Sequence, residues 1–442
     1  MHVVALVLAA AVAFAAFVAF AWFELGFWPL AVLALVTFLV AAYWLLRLSM
    51  RLAGVSDSAA PGKVARWLVG GTAIYVLLAQ LAVGRSPART LQPPEPVPGT
   101  QYWLLSDGAR LAYSVTPARG TPRDTPVIWL HGGPGEPILP TLQRLGIRPL
   151  DYLASDGFAI YYYDQLGAGL SSRIDLRENR VYTVARHVQD LEDVRRALGA
   201  QRMILVGTGW GATLATAYLL GHSAHVAKLV LESPSPVWLP AWPEFVAPTA
   251  RAKMTDVQAS ALALLQRPTL RLLTGRMIAD FSPRVAHTII ADWEADQWWT
   301  RSREEAMRLG QPRLTCASEP SAVLSPLRGL GFFTYTYTTQ DALGLPDPRP
   351  ALRQLETPAL IMRGTCDYVD WRVSYEYLRV MPGARYVAVP AAGHLIWLEQ
   401  AALHNEVLRA FLLDQSLPLA FYDPAHAAGV RADSGGVRPA RP

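Results

Sequence analysis

Apolar and polar positions divide this chain into two very different parts. Residues Val3–Phe23, Leu30–Leu46 and Trp67–Gly84 are uncharged, mostly apolar runs of 21, 17 and 18 residues. As helix, each is long enough to cross about 30 Å of hydrocarbon. The pattern predicts three transmembrane helices over residues 1–84. A cleaved export signal would show a basic start and one short apolar core. This chain reads Met1-His2, and two further spans follow the first.

Past residue 100 the apolar runs become short. Thr125–Leu130, Phe158–Tyr163, Met203–Val206, Ala227–Leu231, Ala359–Met362 and Tyr386–Val389 are near-continuous apolar stretches. Such stretches predict strands of a parallel sheet covered on both faces. Tyr102–Leu105 and Arg110–Val115 flank Ser106-Asp107-Gly108 and predict an opening hairpin. Between strands, Val184, Val188, Leu191, Val194 and Leu198 recur at helical spacing. Strands alternating with helices predict a doubly wound α/β domain with a mostly parallel sheet.

The alternation stops between about 236 and 345. Five of the 14 tryptophans fall there, with helical stretches at 255–266 and 288–308. This reads as a helical lid inserted into the core, over the sheet edge where such folds bind ligands. The expected organisation is a membrane anchor at 1–84 and a Pro-rich linker at 85–100. The core follows at 101–235, the lid at 236–345, the rest of the core at 346–415 and a tail at 416–442, disordered in its Ala-, Gly-, Pro- and Arg-rich part.

Composition adds limits. Hydrophobic residues make up 52% of the chain and charged residues only 17%, which excludes a disordered chain or a coiled coil. The net charge of +5 is not concentrated in any one segment, so nucleic acid is not an expected partner. Only three of the 40 basic residues are lysines, a bias expected of a GC-rich bacterial genome. Arg47, Arg51, Lys63 and Arg66 gather around the loop between the second and third spans. The positive-inside rule therefore puts that loop in the cytoplasm and everything after Gly84 outside. The lipid bilayer is thus an expected partner, through residues 1–84. Cys316 and Cys366 give no metal-ligand spacing and read as two unpaired, partly buried thiols.

Four segments sit at the ends of predicted strands. His131-Gly132-Gly133-Pro134-Gly135-Glu136 carries three glycines that let backbone N–H groups approach a ligand closely. Asp164-Gln165-Leu166-Gly167-Ala168-Gly169-Leu170-Ser171-Ser172 follows the strand at 158–163. Gly207-Thr208-Gly209-Trp210-Gly211 lies between the strand at 203–206 and a helix. It occupies the place of a nucleophile elbow, G-x-S-x-G, but Gly209 stands at the nucleophile position and has no hydroxyl. Asp367 and His394 follow the last two strands, in the chain order nucleophile, acid, histidine.

These segments resemble the proline iminopeptidase (prolyl aminopeptidase) family of α/β hydrolases. HGGPG matches its oxyanion loop, and GTGWG matches its GxSWG elbow except at Gly209. DQLGAGLS matches its DQRGxGxS segment, with Leu166 where arginine is usual. The resemblance covers about residues 100–235 and 350–413 and implies an α/β-hydrolase fold.

The resemblance further implies a serine hydrolase that removes an N-terminal residue or cleaves an aminoacyl amide or ester of a small peptide. His394 would be the base, Asp367 would orient it, and the N–H groups of Gly133 and Trp210 would form the oxyanion hole. The acid- and Trp-rich stretch around Trp293 and Glu294 would meet the substrate amine, with Glu136 as a second carboxylate. No cofactor or metal is implied. Gly209 leaves three readings open: a Ser→Gly replacement, a natural relative that binds without cutting, or attack by another group. For the last reading Thr208 is adjacent, but an elbow points its side chain elsewhere, and Ser223 lies after the helix, far from the glycine loop. An esterase or lipase acting on apolar substrates, and a non-catalytic binding protein, are the alternative functions.

Overall fold

The structure is a computed structural model of the 442-residue chain. It describes all residues except 22, 24, 26, 57, 59, 84–96, 179–180, 244–268, 280, 309–313, 317–327 and 422–442. Most of the expected linker, most of the tail and the stretch at 255–266 lie outside the described residues.

Near-continuous apolar runs have to be covered on both faces, and here they form one eight-stranded sheet. Its strands are β1 (Gln101–Leu104), β2 (Arg110–Thr116), β3 (Val127–Leu130), β4 (Ile160–Tyr163), β5 (Met203–Thr208), β6 (Val226–Glu232), β7 (Ala359–Gly364) and β8 (Ala384–Val389). The order across the sheet is β1-β2-β4-β3-β5-β6-β7-β8. β2 pairs antiparallel with both of its neighbours, and every other pairing is parallel. The hairpin forms where Ser106-Asp107-Gly108 predicts it, closed by Leu105 N–H donating to Ala109 O. Every residue of β3, β5 and β7 is buried.

Besides short helices at Leu139–Leu145, Arg349–Leu352 and Ile396–Glu399, the described helices are α1 (His2–Ala21), α2 (Phe27–Leu52), α3 (Ala60–Val83), α4 (Val184–Ala197), α5 (Trp210–His222), α6 (Leu270–Ala279), α7 (Pro283–Ile289), α8 (Asp292–Arg308), α9 (Phe332–Gly344), α10 (Trp371–Val380) and α11 (Ala401–Leu412). In α4 the apolar stripe at Val184, Leu191 and Val194 is buried, and the Thr183 hydroxyl caps the helix by accepting from Arg186 N–H. The stretch read as one helix at 288–308 is divided. Ile290 takes an extended conformation, so α7 ends before it and α8 begins at Asp292.

Two compact units result. The first joins α1–α3 to 175–181 and 267–295; the second holds the sheet and the remaining described residues. In the first unit three helices are long and apolar enough to span a membrane, with mean hydropathies of 2.9, 2.3 and 1.4. α1 presents Ala5, Ala9, Ala13 and Phe17 at a spacing of four, and α2 presents Leu30, Ala34, Phe38, Ala42 and Leu46 likewise. Small residues at that spacing let two backbones approach closely. The second unit packs Trp129, Tyr162, Val206, Val230, Met362, Val387 and Leu408 into one core.

Cys316 and Cys366, read above as free thiols, are joined in a disulfide with Cα atoms 5.3 Å apart. Fifty residues separate them along the chain, so sequence distance carried no sign of their contact. Two interactions hold the Cys316 segment where the bond forms. Glu399 accepts from Cys316 N–H, and Leu395 N–H donates to Leu314 O.

Candidate active site

Parallel strands β3, β5, β7 and β8 all end on one edge of the sheet, and the loops leaving that edge build the site. This is the edge at which open α/β sheets gather ligands. All the groups described next belong to the second unit, except where stated.

The turn from β5 into α5 is an elbow. Gly209 has φ 56° and ψ −115°, in the left-handed half of backbone space that side chains rarely adopt. Its N–H donates to Glu232 O and its carbonyl accepts from Ser235 N–H, so the turn is pinned from both sides. Gly207 and Gly211 leave no room for a side chain: a Cβ on Gly207 would run into Gly211 O, and one on Gly211 into Leu130 O. At Gly209 the space is open. A Cβ there would lie 3.5 Å from His394 Nε2 and 3.9 Å from Gly132 Cα, both ordinary contact distances.

His394 and Asp367 meet behind that space. Asp367 Oδ1 lies 3.0 Å from His394 Nδ1 and also accepts from Val369 N–H. A carboxylate beside Nδ1 holds the proton there and leaves the Nε2 lone pair facing position 209. Burial pushes the Asp367 carboxyl up, but the His394 ring and the Arg363 guanidinium outweigh it and hold it below the usual carboxylate range. Arg363 also donates to Asp367 O and Val369 O, which fixes the turn carrying the acid. The Tyr368 ring packs against His394 at 4.8 Å between centroids.

The glycine loop is locked to the elbow by a polar chain. Gln165 N–H donates to His131 Nε2, and Gln165 Nε2 donates to His131 O. The Trp210 indole N–H donates to Gln165 Oε1. Since His131 Nε2 accepts, its Nδ1 must carry the proton, given to Gly132 O at 2.7 Å. Burial agrees with this neutral ring and brings His131 down to about 4. Asp164 accepts from the N–H groups of Ile138, Leu139 and Leu170, setting the exit of the loop. Trp210 opens α5, and its own N–H is among the first-turn donors that no helical carbonyl takes. Leu166, where the resemblance expects arginine, is buried, and its carbonyl accepts from the Thr334 hydroxyl. Arg173 instead reaches the loop, donating to Gly169 O and Ser171 O and pairing with Asp296.

The structure therefore brings position 209, Trp210, the glycine loop with Gly133, Asp367 and His394 together. Glu136 pairs with Arg303 at 2.5 Å. Glu294 and Trp293 belong to the first unit, where both carboxylate oxygens of Glu294 accept from Arg271 Nη2. Of the other hydroxyls, Thr208 donates to Glu232 Oε2 and is tied away from position 209. Ser223 follows the far end of α5, about 20 Å along the helix.

One buried pair escapes a reading of the sequence. Glu232, at the end of β6, meets His404 of α11 at 2.6 Å, both within the core. Burial pulls His404 down, but the Glu232 charge and hydrogen bond outweigh it, leaving a raised value. Glu232 thus supports the elbow twice, by its carbonyl to Gly209 and its carboxylate to Thr208. A carboxylate directly after the apolar run Leu229–Leu231 is the one signal available. Among the described residues, no group of three His, Cys, Asp or Glu side chains is placed to hold a metal ion.

Residues 125–401 match the family model described as alpha/beta hydrolase fold. The chain is 27% identical over 291 residues to the proline iminopeptidase of Lactobacillus delbrueckii subsp. bulgaricus, covering 66% of this chain and 90% of that protein. It is 37% identical over 142 residues to the proline iminopeptidase of Heyndrickxia coagulans, covering 31% and 46%. Among solved structures it is similar to the proline iminopeptidase of Mycobacterium smegmatis. That match has a TM-score of 0.46 and 18% identity over 71% of this chain and 98% of the other.

Proposed function

The chain belongs to the alpha/beta hydrolase fold family, and from that premise we propose that it is a membrane-tethered, proline iminopeptidase-like acyl-site protein lacking its nucleophile. The observation that carries this reading is the open space at Gly209. A Cβ there fits, 3.5 Å from a histidine nitrogen whose partner carboxylate is already in place. With serine at 209, His394 Nε2 would take the hydroxyl proton as the oxygen attacks the scissile carbonyl, then return it to the leaving amine or alcohol. Asp367 would stabilise the imidazolium between those steps. The N–H groups of Trp210 and Gly133 would receive the developing oxyanion, each worth about 3–4 kcal/mol. With glycine at 209 the covalent step has no donor of an oxygen. The chain as written binds an acyl or aminoacyl group and is inactive or severely impaired in cleaving it.

The three apolar helices support a place in a bacterial cytoplasmic membrane. The basic residues around 47–66 support a cytoplasmic loop and a hydrolase unit on the periplasmic side. A disulfide beside Asp367 supports the same side, because disulfides persist in oxidising compartments.

A second reading concerns the substrate. Both carboxylates expected to meet a substrate amine already hold an arginine: Glu136 has Arg303 and Glu294 has Arg271. Such pairing favours an uncharged acyl ester, as an esterase would take. A panel of aminoacyl and acyl arylamides and esters, offered to the Gly209→Ser form and to the chain as written, tests both readings. We expect turnover by the serine form alone; preference for amine-bearing substrates supports the peptidase reading, and indifference to the amine supports the esterase. Equal rates from both chains would overturn the proposal.

A further inference from the structure

Helix α6, in the insertion between β6 and β7, belongs to the same compact unit as α1–α3. Its buried side carries Leu272, Ile278 and Ala279, with small residues Thr274 and Gly275 between them. A Cβ on Gly275 would crowd Ile290, so close packing fixes which way this helix faces. Of its four exposed positions three are apolar and one is charged, Arg276 in the last turn. Leu270, Leu273 and Met277 stand out at helical spacing, and with Phe281, in the turn after the helix, they are 42–51% exposed. In a water-facing helix that stripe would be polar.

Its neighbour indicates what covers it. Met277 and Phe281 line an apolar pocket of about 490 Å³ with Phe14, Ala15, Val18 and Ala19 of α1. Those α1 residues lie two to seven positions before its end at Ala21, which is about 3–10 Å along the axis. The positive-inside reading makes that end of α1 the outer end. The exposed stripe of α6 therefore continues the exposed apolar surface of the spans, on which Val12, Ile74, Leu77 and Leu81 also stand outward. Arg271, which would be costly in hydrocarbon, is neutralised by Glu294.

We propose that α6 lies in the outer leaflet of the membrane, with Leu270, Leu273, Met277 and Phe281 against lipid acyl chains. The insertion would then be a second membrane contact, separate from the three spans. The inference rests on the membrane reading above, and the experiment separates the two. Because the native cysteines are paired, a single added cysteine can be spin-labelled in the full chain. Leu273→Cys, Met277→Cys, Leu77→Cys and Leu104→Cys are labelled in vesicles of phosphatidylethanolamine and phosphatidylglycerol. Relaxation by oxygen is then compared with relaxation by a water-soluble nickel chelate.

The proposal predicts that oxygen exceeds the chelate several-fold at 273, 277 and 77, and that the order reverses at 104. A water-like ratio at 273 and 277 with a lipid-like ratio at 77 overturns the α6 assignment and leaves the spans intact. A water-like ratio at 77 overturns both. A phospholipid with a photoreactive acyl chain checks the unmodified protein. Adducts are expected at Leu273, Met277 or Phe281, and adducts confined to α1–α3 contradict the proposal.

Discussion

Two turns at the same sheet edge stand in contrast. The turn after β7 and the loop after β8 hold a finished acid–histidine pair, with Asp367 and His394 3.0 Å apart and Arg363 bracing the acid. The turn after β5 keeps the shape of an elbow, with φ 56° and ψ −115° and both flanking glycines obligatory, yet carries nothing to attack with. The difference separates two things that a nucleophile motif normally joins. Backbone geometry at an elbow is imposed by the packing of Gly207 and Gly211 and by the bonds from Glu232 and Ser235. The side chain at its tip is not needed to maintain it.

Restoring that side chain is the largest change available. With Gly209→Ser, kcat toward a cleavable ester should rise by on the order of 10⁶, the usual cost of losing a triad nucleophile. A rate left at the background level would mean that the acid–histidine pair is not aimed at position 209. In that serine form, Asp367→Asn should lower kcat about 10⁴-fold by releasing the imidazole tautomer. A loss below tenfold would break the contrast from the other side.

The remaining effects are read as stability. Glu232→Ala leaves His404 buried without its partner and should cost about 3–5 kcal/mol in chemical denaturation of the detergent-solubilised chain. No loss would remove Glu232 as the support of the elbow. Replacing both Cys316 and Cys366 by serine should cost about 2–4 kcal/mol and loosen the acid turn rather than the elbow. Hydrogen exchange that quickened around Gly209 and not around Asp367 would contradict that. Gly209→Ser itself should lower stability by about 1–3 kcal/mol, because a side chain is forced into a sparsely allowed backbone region. A stabilised serine form would mean that the turn relaxes and the elbow geometry is lost.

Much of this contrast is visible in the sequence, for a physical reason. Near-continuous apolar strands, the glycine loop and the order Gly209, Asp367, His394 are local patterns, and the fold only has to bring their ends to one edge. What the sequence hides is long-range. The Glu232–His404 pair joins residues 172 apart, and the disulfide joins residues 50 apart. The grouping of 267–295 with the N-terminal helices likewise has no local signature. Single side chains in the insertion are hard to read for the same cause. Glu294 and Glu136 look like free carboxylates along the chain, and only the fold supplies Arg271 and Arg303 to them.

The proposed function requires that His394 act as a base aimed at the empty nucleophile position 209. A fluorophosphonate probe tests it most directly, because it forms a stable bond only with an activated hydroxyl. Covalent labelling is expected of the Gly209→Ser chain, mapped by mass spectrometry to residue 209, and none of the chain as written. Labelling of the chain as written, at Thr208, Ser223 or any other residue, would contradict it.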